Sequence, residues 1–309
     1  MIIRQAAFEN SEKMQKVALH THTTRSDGRL LPHELIAAYE AAGFDLVAIT
    51  DHSIYNREDF SSTGVLVIPG VELESEYDRD EFGVRYMHTV ALGKNDSTNT
   101  FLHDEATPYL KLKSHEGFQE VIDLAHKRGN ITFYCHPEWS RTPAKVFGDL
   151  KGNFAYEIWN TGSALGSDCD NNAPYWEELF SDGHPHFGVA TDDAHSAGGV
   201  GRGYVMVNAK KDVGEVIDAL KAGAFYSSCG PVIKDFYFDT DTNTVHIVAE
   251  SAEKIWFSRE KNWNVRFKLE ECEDGIHGYY KMSRASRMMR ACVVDPNGRR
   301  AWTNPIYWG

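Results

Sequence analysis

The feature that most constrains the fold of this chain is a repeated unit in which an amphipathic helix ends at a glycine and leads directly into an apolar run. The predicted helices, with the glycines that end them, run from Pro32 to Gly43, from Phe118 to Gly129 and from Val213 to Gly223. Runs rich in β-branched and aromatic residues predict strands at Leu46–Thr50, Val65–Pro69, Tyr86–Leu92, Ile131–Cys135, Ala155–Trp159 and Phe187–Ala190. Because such repeats place parallel strands beneath outer helices, the pattern predicts an α/β fold.

The number and spacing of these strands favour a TIM-like barrel over an open dinucleotide-binding sheet. No GxGxxG motif follows an early strand, which weakens the dinucleotide-binding alternative. From residue 231 onward the strands become short and partly alternating, and Asp295–Gly298 has the residues of a hairpin turn. We therefore predict two domains, a barrel at residues 1–230 and a small antiparallel β domain at residues 231–309.

Composition limits the classes of function. The chain has 309 residues and a net charge of −13 without a basic run, which disfavours binding to long nucleic acid. The polar N-terminus lacks the apolar core of a signal peptide, and no segment reaches the length of a membrane span. Five scattered cysteines without a CxxC pair indicate reduced thiols. Together these features predict a cytoplasmic protein with no membrane contact.

A candidate metal site begins at the first predicted strand. The apolar run Val17–Leu19 leads into His20 and His22, and Asp27 follows in a loop. Because strand side chains alternate between faces, two histidines at i and i+2 point the same way. Imidazole and carboxylate ligands together suit a divalent metal ion.

The same chemistry recurs at the ends of other strands. Nine metal-competent residues come from six predicted strands: His20, His22, Asp27, His52, Glu72, His88, His136, Asp193 and His195. In a βα barrel the active site lies at the C-terminal ends of the strands, where nearly all of these residues fall. His88 is the exception, since it lies near the start of its strand. Glu74, which shares a face with Glu72, competes for the same ligand position.

This ordered series resembles the PHP (polymerase and histidinol phosphatase) family of metal-dependent phosphoesterases. The matching pieces are HTH with Asp27, TDH ending in His52, GVE with Glu72, then His88, His136 and the DAH motif at residues 193–195. The resemblance covers about residues 17–230 and implies a distorted (βα)7 barrel that holds two or three divalent ions. The tail segments YSSCGP and AWTNPIYW further resemble a subgroup with a C-terminal β domain.

The resemblance also implies a ligand set for each ion. One ion would be held by His20, His22, Glu72 and Asp193; a second by Asp27, His52 and His195; a third by Glu72, His88 and His136. Charge balance supports three ions. Three divalent ions are positively charged, and three carboxylates and a hydroxide cancel only part of that charge. A phosphate dianion neutralises the positive charge that is left. Mixed imidazole and carboxylate ligands suit Zn, Mn and Fe alike.

The predicted function is hydrolysis of a small phosphate ester, such as a nucleotide or a phosphometabolite. Our hypothesis for the mechanism is attack by a metal-bridged hydroxide at a centre that includes Asp193 and His195. Arg202 is the candidate cation for the phosphoryl oxygens, and Arg25 is a second candidate. No general acid is evident. Two alternatives stay open: hydrolysis of a carboxyl or carbamate ester, and a non-catalytic metal-binding ligand sensor.

Overall fold

The structure is a computed structural model of the chain. It describes residues 1–9, 14–57, 64–112, 115–169, 172–183, 186–260, 268–282 and 286–308. Within these ranges the chain forms a mixed α/β fold in which strands outnumber helices.

All three predicted helices are confirmed, and local chemistry explains their ends. The six helices of the described ranges are α1 (Pro32–Ala41), α2 (His115–Lys127), α3 (Ala144–Phe147), α4 (Thr161–Ser167), α5 (Ala173–Ser181) and α6 (Val213–Lys221). Asp212 caps α6, because its carboxylate accepts a hydrogen bond from the Glu215 backbone N–H at 3.0 Å. Gly129 follows α2 with φ of 84°, a conformation that glycine adopts without strain.

The strands fall into two stretches of the chain. The first stretch contains β1 (Ile2–Arg4), β2 (Gln15–Ala18), β3 (Leu46–Ala48), β4 (Ile54–Tyr55), β5 (Leu66–Ile68), β6 (Gly70–Asp80), β7 (Gly83–Gly93), β8 (Glu105–Ala106), β9 (Leu110–Leu112), β10 (Asn130–Tyr134), β11 (Asn153–Asn160), β12 (Phe187–Thr191), β13 (Tyr204–Val207) and β14 (Phe225–Ser228). The second contains β15 (Ile233–Asp239), β16 (Thr244–Ala249), β17 (Lys254–Ser258), β18 (Lys268–Cys272), β19 (Gly275–Lys281), β20 (Met288–Val294), β21 (Arg300–Thr303) and β22 (Ile306–Tyr307). All six predicted strands are confirmed.

Two sheets carry the predicted barrel strands. In one, β2, β3 and β5 are parallel neighbours, while β13 and β14 continue the sheet in the antiparallel sense. In the other, β10, β11 and β12 are parallel, and β7 runs antiparallel between β10 and β6. Side chains such as Leu19, Phe133, Val189 and Val205 are buried in the core between these strands.

The predicted (βα)7 barrel is not confirmed, because the ladders among the described residues do not close. Two departures from the βα repeat also distinguish the fold from a (βα)7 barrel. Strand β7 returns antiparallel between its neighbours, and β13 pairs antiparallel with β2. Single-residue bridges, Thr21 to Ala194 and His52 to Glu72, link the two sheets. Both bridges lie at segments that carry predicted site residues.

The C-terminal strands pair antiparallel throughout, but they share their sheets with the rest of the chain. Strand β1 pairs with β15, and β21 pairs with β14. The predicted Asp295–Gly298 hairpin is confirmed: it joins β20 to β21, and the Asp295 backbone N–H donates to the Arg299 carbonyl at 3.0 Å. A separate C-terminal β domain is not confirmed, and the division at residue 230 stays a prediction.

Candidate metal centre

The structure brings all nine predicted site residues into one cluster. Potential ligand atoms lie within 4.8 Å of one another in overlapping groups: His20 with His22, Glu72 and Asp193; His22 with Asp27, His52 and His195; His52 with Glu72 and His88; and His136 with Glu72 and Cys135. Because Glu72 belongs to three of these groups, the cluster is continuous.

Backbone pairing aligns the two segments that contribute most of these residues. The Asp193 N–H donates to the His20 carbonyl at 2.9 Å, and the His22 N–H donates to the Ala194 carbonyl at 3.0 Å. These bonds hold the HTH segment after β2 alongside the DAH segment after β12. Residues that are far apart in sequence therefore share one rim.

The position of His88 follows from the direction of its strand. Because β7 runs antiparallel to β10, the first half of β7 lies beside the C-terminal end of β10. The Cys135 N–H donates to the His88 carbonyl at 3.1 Å, which places His88 next to His136. The apparent exception in the sequence pattern thus reaches the same rim as the other residues.

Glu72 lies at the middle of the cluster and is 1% exposed. Five imidazole nitrogens lie within 3.2 Å of its two carboxylate oxygens: those of His20, His22, His52, His88 and His136. Two imidazole nitrogens lie near Glu74 at longer range, His52 Nδ1 at 3.4 Å and His88 Nε2 at 4.0 Å, and the Glu74 side chain is 25% exposed. The geometry therefore places Glu72, and not Glu74, at the centre.

Two histidines have their outer nitrogens fixed by oxygen acceptors. His20 Nδ1 lies 2.8 Å from Glu157 Oε1, and His195 Nδ1 lies 3.0 Å from the Asp193 carbonyl. Because a carboxylate or a carbonyl can only accept, both Nδ1 atoms carry the hydrogen when the rings are neutral. The lone pair on each Nε2 then faces the cluster. Metal-binding histidines typically show this arrangement.

Three buried polar atoms of the cluster lie near polar neighbours without a well-aligned hydrogen bond. They are His52 Nδ1, His88 Nε2 and Asp193 Oδ1. In addition, His20 Nε2 and His22 Nε2 face each other at 3.2 Å. Buried polar atoms without partners are costly to a fold. Cations bound among these atoms would supply the missing partners, so the donor set fits divalent metal ions.

The charges of the carboxylates dominate the titration of the inner histidines. Burial lowers the pKa of His22, but hydrogen bonds to Asp193 and Glu72 outweigh burial and raise its pKa to about 10. Burial likewise opposes the charges of Asp193 and Glu72 at His20, and the pKa of His20 is raised well above its ordinary value. The negative charge at this point therefore requires a positive partner, either bound protons or a metal ion.

His52 and His88 behave differently from His20 and His22. Burial is the main cause that lowers the pKa of His52 and of His88. Burial raises the pKa of Glu72, but the charges of His20 and His52 outweigh it and hold that pKa well below its usual range. Ionised carboxylates beside neutral imidazoles are the protonation states that metal binding needs.

The backbone at two predicted ligands is strained. His136 has φ of 28° and Asp193 has φ of 46°, which side chains with a Cβ rarely adopt. Hydrogen bonds hold both positions: the His136 N–H donates to Glu157 Oε2 at 2.7 Å, and Asn160 Nδ2 donates to Asp193 Oδ2 at 3.1 Å. Such strain is typical of functional sites, where the surroundings fix an unfavourable conformation.

Glu157 is the residue that the sequence reasoning missed. It is 1% exposed and accepts hydrogen bonds from four groups: His20 Nδ1, the His136 N–H, Asn160 Nδ2 and the Thr191 hydroxyl. The signal was a lone acid in the apolar strand AYEIW, since a buried carboxylate needs partners. Glu157 thus connects three segments of the rim.

Asp51 and Asp192 support the loops around the cluster. Asp51 accepts from the Thr23 N–H at 2.7 Å and from the Thr23 hydroxyl at 2.7 Å. Asp192 accepts from the backbone N–H groups of residues 201–203 and from the Tyr39 hydroxyl. Asp51 thus holds the segment that follows His22, and Asp192 holds the loop at residues 201–203.

A cavity of about 1180 Å³ opens onto the cluster. Seven of the nine residues line it, together with Tyr86, Tyr109, Trp139 and several serines and glycines. None of the described residues that line it is Lys or Arg. Arg202 is exposed and donates from Nε to the Gly198 carbonyl at 2.9 Å, while Arg25 contacts His103 at 3.2 Å. A role for either arginine in substrate binding stays a prediction.

Comparison with known proteins gives one family match. Residues 18–159 match the family model described as PHP domain. No curated protein matches the sequence. Among the described residues, no helix combines the length and apolar character that crossing a membrane requires.

Solved structures give three further likenesses. A two-domain protein from Bacteroides vulgatus, described as containing a predicted PHP-like metal-dependent phosphoesterase, is 14% identical with a TM-score of 0.50 over 98% of each chain. An amidohydrolase from Chromobacterium violaceum with bound sulfate and no metal is 13% identical, with a TM-score of 0.41 over 58% of this chain and 87% of that one. A proposed metal-dependent phosphoesterase from Bifidobacterium adolescentis is 15% identical, with a TM-score of 0.41 over 59% of this chain and 88% of that one. The first likeness extends the shared fold over nearly the whole chain.

Proposed function

Because residues 18–159 match the PHP domain model, we propose that this chain is a metal-dependent phosphoesterase that hydrolyses a small phosphate ester. A nucleotide or a similar phosphometabolite is the proposed substrate. The observation that carries the proposal is the convergence of five imidazole nitrogens on the buried carboxylate of Glu72.

We assign the ions to the three overlapping ligand sets. His20, His22, Glu72 and Asp193 would hold one; Asp27, His52 and His195 a second; Glu72, His88 and His136 a third. When bound, divalent ions lower the pKa of water and offset the negative charge of phosphoryl oxygens. Zn, Mn and Fe all suit this mixture of ligands.

The protein's own groups orient the ligands and receive the substrate. Glu157 fixes the tautomer and direction of the His20 ring, and the Asp193 carbonyl does the same for His195. Ser26, Ser163 and Ser196 line the cavity and offer hydroxyl donors to phosphoryl oxygens. Because no lysine or arginine is among the described lining residues, the binding of an anionic substrate depends on bound cations.

A comparison of two esters with one leaving group tests the function. The purified protein, supplied with Mn, Zn or Fe, should release 4-nitrophenol from 4-nitrophenyl phosphate much faster than from 4-nitrophenyl acetate. His20→Ala should abolish this activity, because it removes a ligand and exposes the Glu157 carboxylate to an unfilled space. His33→Ala, which removes an exposed histidine of α1, is the matched control and should retain activity. Faster turnover of the acetate, or full phosphatase activity in His20→Ala, would contradict the proposal.

A further inference from the structure

A second cavity, of about 470 Å³, adjoins the one that opens onto the metal cluster. It lies between the β6–β7 hairpin and the loop that follows β10. Tyr86 and Trp139 line both cavities, so these two rings form the boundary between them. A substrate that extends from the cluster past Tyr86 and Trp139 enters the second cavity.

The two cavities differ in charge. Among the described residues that line it, the first cavity contains the acids of the cluster and no Lys or Arg. The second is lined by Arg85 and Arg141, with Asp80 as the one acid in its described lining. The second cavity is therefore suited to an anionic group, which the first would accept only beside bound cations.

The rings at the boundary lie close to the cluster. The Trp139 ring centroid is 4.9 Å from that of His136 and 5.8 Å from that of His88. The Tyr86 ring lies 6.2 Å from His88. Trp139 is 40% exposed, which leaves ring surface available for stacking with a ligand. A planar group next to the reacting phosphate would meet Trp139 first.

The loop that carries Trp139 and Arg141 is held by its own backbone. The Ser140 N–H donates to the His136 carbonyl at 3.0 Å, the Arg141 N–H to the Glu138 carbonyl at 3.0 Å, and the Thr142 N–H to the Pro137 carbonyl at 3.1 Å. These bonds fix Trp139 and Arg141 relative to His136. Because the loop backbone is already ordered, ligand binding needs to order little more than the side chains.

We propose that the substrate carries a second anionic group, which Arg85 and Arg141 bind, and a planar ring that stacks on Trp139. This inference rests on the proposed function, because it places the reacting phosphate in the first cavity. The second anion is a carboxylate or a phosphate-type group, and both suit the guanidinium fork.

Three aryl phosphates of matched length test the proposal. They are 4-propylphenyl phosphate, 4-(2-carboxyethyl)phenyl phosphate and 4-(2-phosphonoethyl)phenyl phosphate, assayed for kcat/KM with the metal-loaded protein. At least one anionic tail should raise kcat/KM about tenfold over the propyl compound, as expected for one hydrogen bond to a charged group. Which tail does so identifies the second anion.

Arginine variants and a binding measurement test the second anion site separately from turnover. In Arg141→Gln and in Arg85→Gln, the ratio of kcat/KM for the anionic tail to that for the propyl tail should fall about tenfold. Arg299→Gln, in the C-terminal hairpin, should keep the ratio of the original protein. Calorimetry with the non-hydrolysable 4-propylbenzylphosphonate and 4-(2-carboxyethyl)benzylphosphonate reads the same preference without turnover.

The outcomes distinguish the two proposals. Turnover of all three compounds at equal kcat/KM would overturn the second anion site and leave the phosphoesterase proposal standing. An absence of turnover would contradict the phosphoesterase proposal, and the calorimetric preference would then decide whether Arg85 and Arg141 bind an anion. A preference that both glutamine variants retain would also overturn the site.

Discussion

Replacing Glu157 with glutamine tests how the metal ligands are held. The carboxylate Oε1 accepts from His20 Nδ1 at 2.8 Å, and Oε2 accepts from the His136 N–H at 2.7 Å. Glutamine has the same shape but only one acceptor oxygen. If its oxygen stays at the His136 N–H, its amide N–H₂ faces His20 Nδ1. His20 must then carry its hydrogen on Nε2, which points into the cluster.

This change of tautomer sets the size of the effect. A hydrogen on His20 Nε2 removes the lone pair that would bind a metal ion. The loss of one hydrogen bond to a charged group is worth about 1.5–3 kcal/mol. Groups that orient metal ligands typically contribute about 10–100-fold to metal affinity. We therefore expect Glu157→Gln to weaken metal binding by about 10–100-fold.

A chelator competition titration measures this affinity directly. Asp295→Asn is the matched control, because Asp295 is also a buried carboxylate that accepts several hydrogen bonds but lies in the C-terminal hairpin. It should leave metal affinity unchanged. Circular dichroism establishes that each variant is folded. A folded Glu157→Gln protein that binds metal as tightly as the original would refute the reasoning.

Three further predictions follow from contacts around the cluster. Arg202→Gln should lower kcat/KM for phosphate esters by less than about tenfold, because the exposed Arg202 side chain contacts the Gly198 carbonyl and does not line the cavity. A larger loss in steady-state kinetics would show that Arg202 reaches the substrate. Tyr39→Phe removes the hydroxyl that donates to Asp192 at 2.9 Å, so urea denaturation should show a loss of about 1.5–3 kcal/mol in the free energy of unfolding; an unchanged midpoint would contradict this. The metal-free protein holds a proton on His22, because the pKa of His22 is raised to about 10. Metal binding should therefore release protons and become stronger as the pH rises. Calorimetry in buffers of different ionisation enthalpy counts the released protons, and an absence of proton release would contradict this prediction.

Local sequence chemistry predicts the helices and the hairpin well. Asp212 caps α6, glycines end the helices, and Asp295–Gly298 turns the chain between β20 and β21. Each of these features depends on residues within a few positions of one another. Residue type and spacing therefore suffice to locate them.

Strand direction is what the sequence pattern does not contain. The apolar run that ends at Leu92 predicts a strand, but only pairing with β6 and β10 makes β7 antiparallel. That direction brings His88 to the rim and breaks the βα repeat. The pairing of Ile2–Arg4 with β15 joins Ile2 to Asp239, which is far away in sequence, so no local signal indicates it.

The candidate ligands were predictable because they recur at strand ends, whereas their supports were harder to find. The HTH, TDH and DAH motifs place metal-competent residues at a common rim. Glu157 has no motif of its own, and its importance comes from the three segments that its carboxylate joins. Predicting such a residue requires asking which partners a buried acid must have.

The most direct test of the central claim is anomalous diffraction from crystals of the protein loaded with Mn or Zn. The account predicts two or three anomalous peaks among Glu72, Asp193 and Asp27, with the histidine nitrogens of the cluster around them. Strong peaks elsewhere and none within this cluster would contradict the assignment of the metal centre.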